Sequence, residues 1–286
     1  MSEVVESTHA RTDVHTGIQT YVVGSRQARP NLPSTGCPFC PGGVEAPDPY
    51  EVRWFVNRWP AMPDDRCEVI LYTPNHDASF WSLGAEGARR VVDLWADRSA
   101  ALGARSDISY VLVFENRGAE VGATIPHPHG QIYAFDSVPE LPLRELALGS
   151  VFEDPAPERL VAEAPGWRAW VPSAAVFPYA LMLVPEAEVP DLPSLDSAGR
   201  DALAALLVDV LARLDRAFGE PAPYMLWIHQ RPFDNGDWPG ARLHVEIVSP
   251  WRRAGVPRYV AAGELGSGIF FNPVDPDQAA QTLRDA

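Results

Sequence analysis

Nowhere in this chain does an apolar stretch approach the ~20 residues needed to span a bilayer; proline or charge interrupts each one first. A helical membrane protein is therefore not expected. The opening residues, with Ser2, Glu3, Glu6, His9 and Arg11, lack the apolar core of a secretory signal, and a cytoplasmic location is the expectation. Cysteine is scarce, and three of them cannot close a disulfide framework. Cys67 stands apart and reads as a buried, inert thiol. Cys37-Pro38-Phe39-Cys40, taken alone, suits metal ligation, two reduced thiols in a turn or a redox pair. Positive charge is also in short supply, with 23 basic against 38 acidic side chains and a formal net charge of −15. That balance argues against a nucleic-acid polymer as partner, because such binding rests on neutralising phosphates. A small phosphate ester stays open, since a few arginines can reverse the field inside a cleft.

What is present argues for a folded globule. Hydrophobic residues make up 46% of the 286, nine of them tryptophan, which is enough to bury the core of one large domain or two ordinary ones. Residues 1–12 look frayed. Strands are expected at Ile18–Val23, Arg53–Asn57, Glu68–Thr73, Tyr110–Glu115 and Gln131–Phe135, with a Pro/Gly-rich loop from about Pro30 to Pro49. Between them Val91, Leu94, Trp95 and Leu102 recur at helical spacing within Gly87–Leu102. The second half repeats this order, with strands at Trp167–Val171, Ala180–Val184, Tyr224–His229 and Arg242–Val248. A helix over Ser197–Phe218 carries Leu203, Leu206, Leu207, Val210, Leu211, Leu214 and Phe218 on one stripe. Phe114-Glu115-Asn116 followed by His129-Gly-Gln131-Ile-Tyr resembles Trp227-Ile228-His229 followed by His244-Val-Glu246-Ile-Val. This is a degenerate repeat offset by about 115 residues.

The richest segment is Ile125-Pro-His127-Pro-His129-Gly-Gln131-Ile-Tyr133, preceded by Glu115-Asn-Arg-Gly118. In an extended run His127, His129 and Gln131 point the same way. Pro128 and Gly130 fill a central strand poorly, and suit a stiff strand entrance and a backbone that something approaches closely. An imidazole held there can attack phosphorus, while the Gln131 amide can meet phosphoryl oxygens without competing as a base. Nucleophilic attack by one ring nitrogen requires the other to hold its proton elsewhere, and a backbone carbonyl near His127-Pro128 is the expected partner.

With Glu115–Gly118 and His127–Gln131 together, and a likeness running from Thr16-Gly17 through Arg26-Gln-Ala-Arg29-Pro30 to the C-terminus, the chain resembles the galactose-1-phosphate uridylyltransferase family, a branch of the histidine-triad superfamily. The resemblance implies that His129 is the nucleophile and that Gln131 replaces the third triad histidine. That replacement removes an acid that could help water, favouring a sugar phosphate as acceptor. It also implies a zinc held by Cys37, Cys40, His76 and His127. A second metal, iron or zinc, would be held by Glu145, His229, His244 and Glu246, although Glu246 stands where the family has histidine. The same resemblance assigns Arg26 and Arg29 to nucleotide phosphates across a homodimer interface, and Asn57, Asn116 and Thr124 to the nucleotide. Arg258 and Glu264 fall to the hexose. Phe270 aligns near a glutamine that binds sugar hydroxyls in relatives, and Ile125 replaces an asparagine.

The fold expected is therefore α+β: two histidine-triad-like repeats, residues 1–150 and 151–286, forming a largely antiparallel sheet with flanking helices. The expected function is ping-pong transfer of UMP between UDP-glucose and galactose 1-phosphate or a related hexose 1-phosphate. An ADP-sugar phosphorylase of the same fold, a triad-type nucleotide hydrolase and a catalytically silent metal-stabilised binding protein are the alternatives.

Overall fold

The computed structural model describes residues 9–28 and 36–286. The first described residues form a small hairpin, β1 (His9–Thr12) against β2 (Gln19–Val22), followed by a 3₁₀ turn at Gly24–Ala28. Of residues 1–12, expected to be frayed, 9–12 are paired, and 1–8 lie outside the described residues. Local turn chemistry accounts for it: the Asp13 carboxylate accepts from the His15 and Thr16 amides at 2.9 and 2.7 Å, and Gly17 takes the left-handed conformation at φ 77°.

Nine further strands form one antiparallel sheet: β3 (Arg53–Val56), β4 (Cys67–Leu71), β5 (Tyr110–Arg117), β6 (His129–Phe135), β7 (Leu160–Ala164), β8 (Trp167–Trp170), β9 (Tyr179–Pro185), β10 (Tyr224–His229) and β11 (His244–Ser249). Their order is β3-β4-β6-β5-β10-β11-β9-β8-β7. Outward from the centre, β5-β6-β4-β3 on one side corresponds to β10-β11-β9-β8 on the other, with β7 added at the far edge. The halves join through β5 and β10, paired from Tyr224↔Arg117 to Ile228↔Val113. The internal repeat seen in the sequence is thus a repeat of sheet topology.

Helices α1 (Gly84–Gly103) and α3 (Ser197–Phe218) make the matching connections, from β4 to β5 and from β9 to β10. Both cover the same face of the sheet, packing Val91, Trp95, Leu203, Leu207 and Leu211 against Ile70, Val113, Ile132, Leu226 and Val245. The bounds of α3 follow from its ends. Asp196 accepts from the Gly199 amide at 2.7 Å as N-cap, and Gly219 closes the helix at φ 71°. Three elements were not anticipated: α2 (Glu140–Ala147), a short α4 (Ala262–Ser267) and the C-terminal α5 (Pro276–Asp285). Strand β7 and the hairpin of β12 (Trp251–Arg253) with β13 (Val256–Pro257) were also missed. Among the described residues no helix is long and apolar enough to cross a membrane. The opposite face of the sheet, which α1 and α3 leave uncovered, carries His129, Gln131 and Glu246.

Candidate active site

Alternation along β6 divides its side chains between the two faces: Gly130, Ile132 and Ala134 are buried, while His129, Gln131, Tyr133 and Phe135 are only partly so. The register with β5, in which Phe114 faces Gln131, sets Asn116 beside His129 and Glu115 behind Gly130. His129, Asn116 and Arg117 line an open cleft, with Ser79, Phe80, Ala123 and Ile125 on its other walls. His129 Nδ1 lies 2.7 Å from the His127 carbonyl oxygen. A carbonyl only accepts, so Nδ1 carries the proton and the lone pair belongs to Nε2. The Phe39 ring stands edge-on to the imidazole, with centroids 5.0 Å apart.

Gly130 is required by the protein itself. A Cβ there would lie 2.1 Å from the Tyr72 hydroxyl and 3.1 Å from the Phe114 carbonyl oxygen. The group that closely approaches this backbone is thus a tyrosine of the core, on the face away from His129.

Behind the strand lies a buried carboxyl. Glu115 accepts a 2.6 Å hydrogen bond from the Tyr224 hydroxyl, and the Tyr72 hydroxyl faces the same group. Burial pushes Glu115 up to about 7, despite the opposing tyrosine hydrogen bonds and nearby Arg117. Arg117 itself is spent on Asp215 of α3, with contacts of 2.6 and 3.0 Å that lock β5 to the helix. The Glu115 shift has a sign. Between the ordinary 4.5 and about 7 the native state holds a proton that the unfolded chain releases. This contribution to stability is complete below the unfolded value and is lost as pH rises through the folded one, by about 3 kcal/mol in all. Unfolding free energies of wild type and Glu115→Gln, measured from pH 4.5 to 7.5, should diverge by that order. Parallel curves would show that Glu115 ionises normally. Burial and neighbouring His229 hold His244 down to about 4, an opposite slope present in both proteins that cancels in the comparison.

Two clusters of ligating side chains share the open face. Cys37, Cys40, His76 and His127 bring one donor atom each within 4.8 Å of one another. Cys40 Sγ is 3.5 Å from His76 Nδ1 and 3.6 Å from His127 Nδ1. A tetrahedral zinc with ordinary Zn–S and Zn–N bonds sets that edge at about 3.6 Å, so this donor set and its spacing fit the ion. Burial and the adjacent Cys37 raise the Cys40 thiol, and burial lowers His127, the cost of crowding these groups without a cation. The C-x-x-C turns back through Gly43, whose amide donates to the Cys40 carbonyl at 2.7 Å.

The second cluster, Glu145, His229, His244 and Glu246, also lies within 4.8 Å and is compatible with metal binding. Glu145 arrives on α2. His229 Nδ1 is 2.8 Å from Glu145 Oε2, and Trp227 donates to Glu246 at 2.9 Å. His244 opens β11 as His129 opens β6, and its Nδ1 lies 3.0 Å from the Arg242 carbonyl oxygen, again two residues back. The two halves therefore repeat an orienting hydrogen bond as well as a topology.

The remaining candidates divide. Asn57, just past β3, reaches Gln131 Oε1 with its Nδ2 at 3.4 Å, so these two amides meet on the open face. Thr124 lies between Ala123 and Ile125, two of the cleft's wall residues. Arg26 sits half-buried on the 3₁₀ turn and does not line the cleft; its charge bears on the Cys67 thiol. Arg29 lies outside the described residues. Arg258 and Glu264 are buried in an ion pair with each other, away from the walls of the cleft. Glu264 also accepts from the Ala261 and Phe271 amides, both at 2.9 Å. Sequence reasoning gave no role to Phe39, inside the C-x-x-C, and missed Tyr50, Tyr72 and Tyr224, which belong to no motif; all four gain meaning only from their contacts.

Comparison with known proteins follows this geometry. The N-terminal and C-terminal domain models of galactose-1-phosphate uridyl transferase match residues 58–139 and 145–265. The chain is 40% identical to the galactose-1-phosphate uridylyltransferase of Streptomyces lividans, over 88% of this chain and 79% of that one. A solved uridylyltransferase structure superposes with a TM-score of 0.87 at 27% identity, over 96% of this chain and 97% of the other. An ADP-glucose phosphorylase from Arabidopsis thaliana with bound ADP-glucose shares the fold, with a TM-score of 0.78 at 22% identity over 98% and 99% of the two chains.

Proposed function

Because the chain belongs to the galactose-1-phosphate uridylyltransferase family, we propose that it moves UMP between UDP-glucose and galactose 1-phosphate, or a related hexose 1-phosphate, through a uridylyl-histidine intermediate. The observation that carries this reading is the 2.7 Å bond between His129 Nδ1 and the His127 carbonyl at the wall of the cleft. It leaves Nε2 as the nucleophilic nitrogen. A bond forms from Nε2 to the α-phosphorus of UDP-glucose as the bond to the bridging oxygen breaks, and glucose 1-phosphate departs. A phosphate oxygen of galactose 1-phosphate then attacks the same phosphorus, the P–N bond breaks, and the imidazole recovers its lone pair. Gln131, oriented by Asn57, donates its amide to the phosphoryl oxygens while charge shifts between them.

Asn116 and Thr124 complete the nucleotide side. Arg26 and Arg29 reach the phosphates from the other subunit of a homodimer. The chain contains no lysine, so positively charged side-chain contacts to phosphate fall to guanidinium groups. For Arg258 and Glu264, their mutual ion pair favours shaping the hexose end of the site over separate contacts. Residues 1–150 and 151–286 form the two repeats, and the protein works in the cytoplasm without nucleic-acid or membrane partners.

Cys37, Cys40, His76 and His127 would hold zinc, which supplies a rigid anchor at the entrance to β6. Glu145, His229, His244 and Glu246 would hold iron or zinc and brace the second half. The base is tested directly by incubating the protein with UDP-glucose and galactose 1-phosphate, and in parallel with ADP-glucose and inorganic phosphate. UDP-galactose in the first mixture is the expected product. Turnover in the second alone would transfer the assignment to an ADP-sugar phosphorylase.

A further inference from the structure

Tyr50 lies just before β3 with its ring against the small apolar cluster of Phe39, Ala46, Val69 and Leu71. Its hydroxyl oxygen stands 2.7 Å from the Phe39 carbonyl oxygen, 2.9 Å from the Thr73 carbonyl oxygen and 3.0 Å from His127 Nε2. These three partners belong to three different stretches of chain. Phe39 sits within the C-x-x-C, Thr73 leads into His76, and His127 is itself one of the four donors. One phenol therefore touches every segment that contributes to the Cys37, Cys40, His76 and His127 cluster.

Hydrogen-bond accounting fixes the roles. The two carbonyls only accept, and the phenol has a single proton. His127 Nε2 is 2.8 Å from the Thr73 carbonyl oxygen, so Nε2 must be protonated to make that contact favourable. The Nε2–H then donates to Thr73 and to the Tyr50 oxygen, while the Tyr50 hydroxyl donates to Phe39. His127 is left with its lone pair on Nδ1, the atom that faces Cys40 Sγ at 3.6 Å. Such an outer partner sets both the tautomer and the ring plane of a ligating imidazole.

We propose that Tyr50 is a positioning residue for the metal cluster: the Thr73 carbonyl sets the His127 tautomer, and the Tyr50 hydroxyl, bound to the Phe39 segment and to Nε2, holds the ring in the orientation that presents Nδ1 to the ion. The inference rests on reading the four donors as a metal site. It reaches the reaction through two contacts already described. The backbone carbonyl of His127 accepts the His129 proton, and the Phe39 ring packs edge-on to both imidazoles, at 6.1 and 5.0 Å. A rotation of His127 therefore disturbs the group that orients the nucleophile.

The test is Tyr50→Phe in the full chain, which keeps the ring and removes only the oxygen. Zinc affinity is read by competition with a chromogenic chelator, and melting is followed with and without zinc. Tyr50→Phe should still take up one zinc at this cluster, with affinity lowered about 10- to 100-fold. The stabilisation that zinc confers should shrink accordingly. Isotope-labelled wild type should show His127 protonated at Nε2 by nitrogen NMR. Equal zinc affinity in wild type and Tyr50→Phe, with both melting curves lowered in parallel, would reduce Tyr50 to a structural brace and overturn the assignment. Wild type and Cys40→Ser binding the same amount of zinc would instead remove the metal reading beneath it, and the inference with it.

Discussion

His129→Gly should fold, yet take up no label from radioactive UDP-glucose, while wild type retains an acid-labile, alkali-stable phosphoramidate. Turnover should fall by roughly 10⁴-fold or more, the scale seen when a covalent nucleophile is deleted. Folding survives because His129 lies on the open face of β6, where the cost of a strand glycine is about 1 kcal/mol. The neighbouring imidazole cannot substitute. His127 is only 1% exposed and its Nε2 is committed to the Thr73 carbonyl, so no phosphorus reaches it. Label retained by His129→Gly would remove His129 as the nucleophile. Label absent from wild type with both UDP-glucose and ADP-glucose would argue for a silent binding protein.

Cys40→Ser should contain about one equivalent of zinc less than wild type and melt about 7 °C lower in saturating zinc. The shift follows from linkage: an ion present at ~1,000 times its dissociation constant stabilises the native state by about 4 kcal/mol, spread over the unfolding entropy of a chain this long. Activity should fall as well if His127 is a zinc ligand, because its carbonyl also accepts the His129 Nδ1 proton. Elemental analysis and calorimetry check the two figures. Unchanged metal content would end the zinc assignment of this cluster, and unchanged melting with lost metal would show that the ion contributes nothing to the fold.

Much of the site was legible because its chemistry is encoded in short spacing. The alternation of His129 and Gln131 fixes the face of β6 they share, with His127 just before the strand, and the same rule places His244 and Glu246 on one face of β11. The apolar stripe from Leu203 to Phe218 marks α3, while its exact ends rest on the Asp196 and Gly219 cap contacts that only the structure shows. Signals failed where an element lacks a stripe. In α2 it is Leu141 and Leu143 that are exposed while Pro142 is buried, the reverse of an amphipathic helix. Helix α5 buries only Ala279, Ala280 and Leu283, too small a set to stand out. Strand β7 is short and its register against β8 shifts between Leu160 and Ala162, so Val161 and Ala162 are both buried and no alternation appears. Tyr50 carries no local mark, since its meaning comes from three carbonyl and imidazole partners distant in sequence. The pairing of Arg258 with Glu264 likewise depends on a helical turn that composition did not reveal.

The seam between β5 and β10 limits how this enzyme can move. A hinge needs a place where few bonds cross, but here a full antiparallel ladder runs from Arg117 to Val113 at the molecule's midline. The repeats cannot swing like jaws around a sugar nucleotide. Any opening and closing must come from the segments that border the platform, while the platform itself stays stiff.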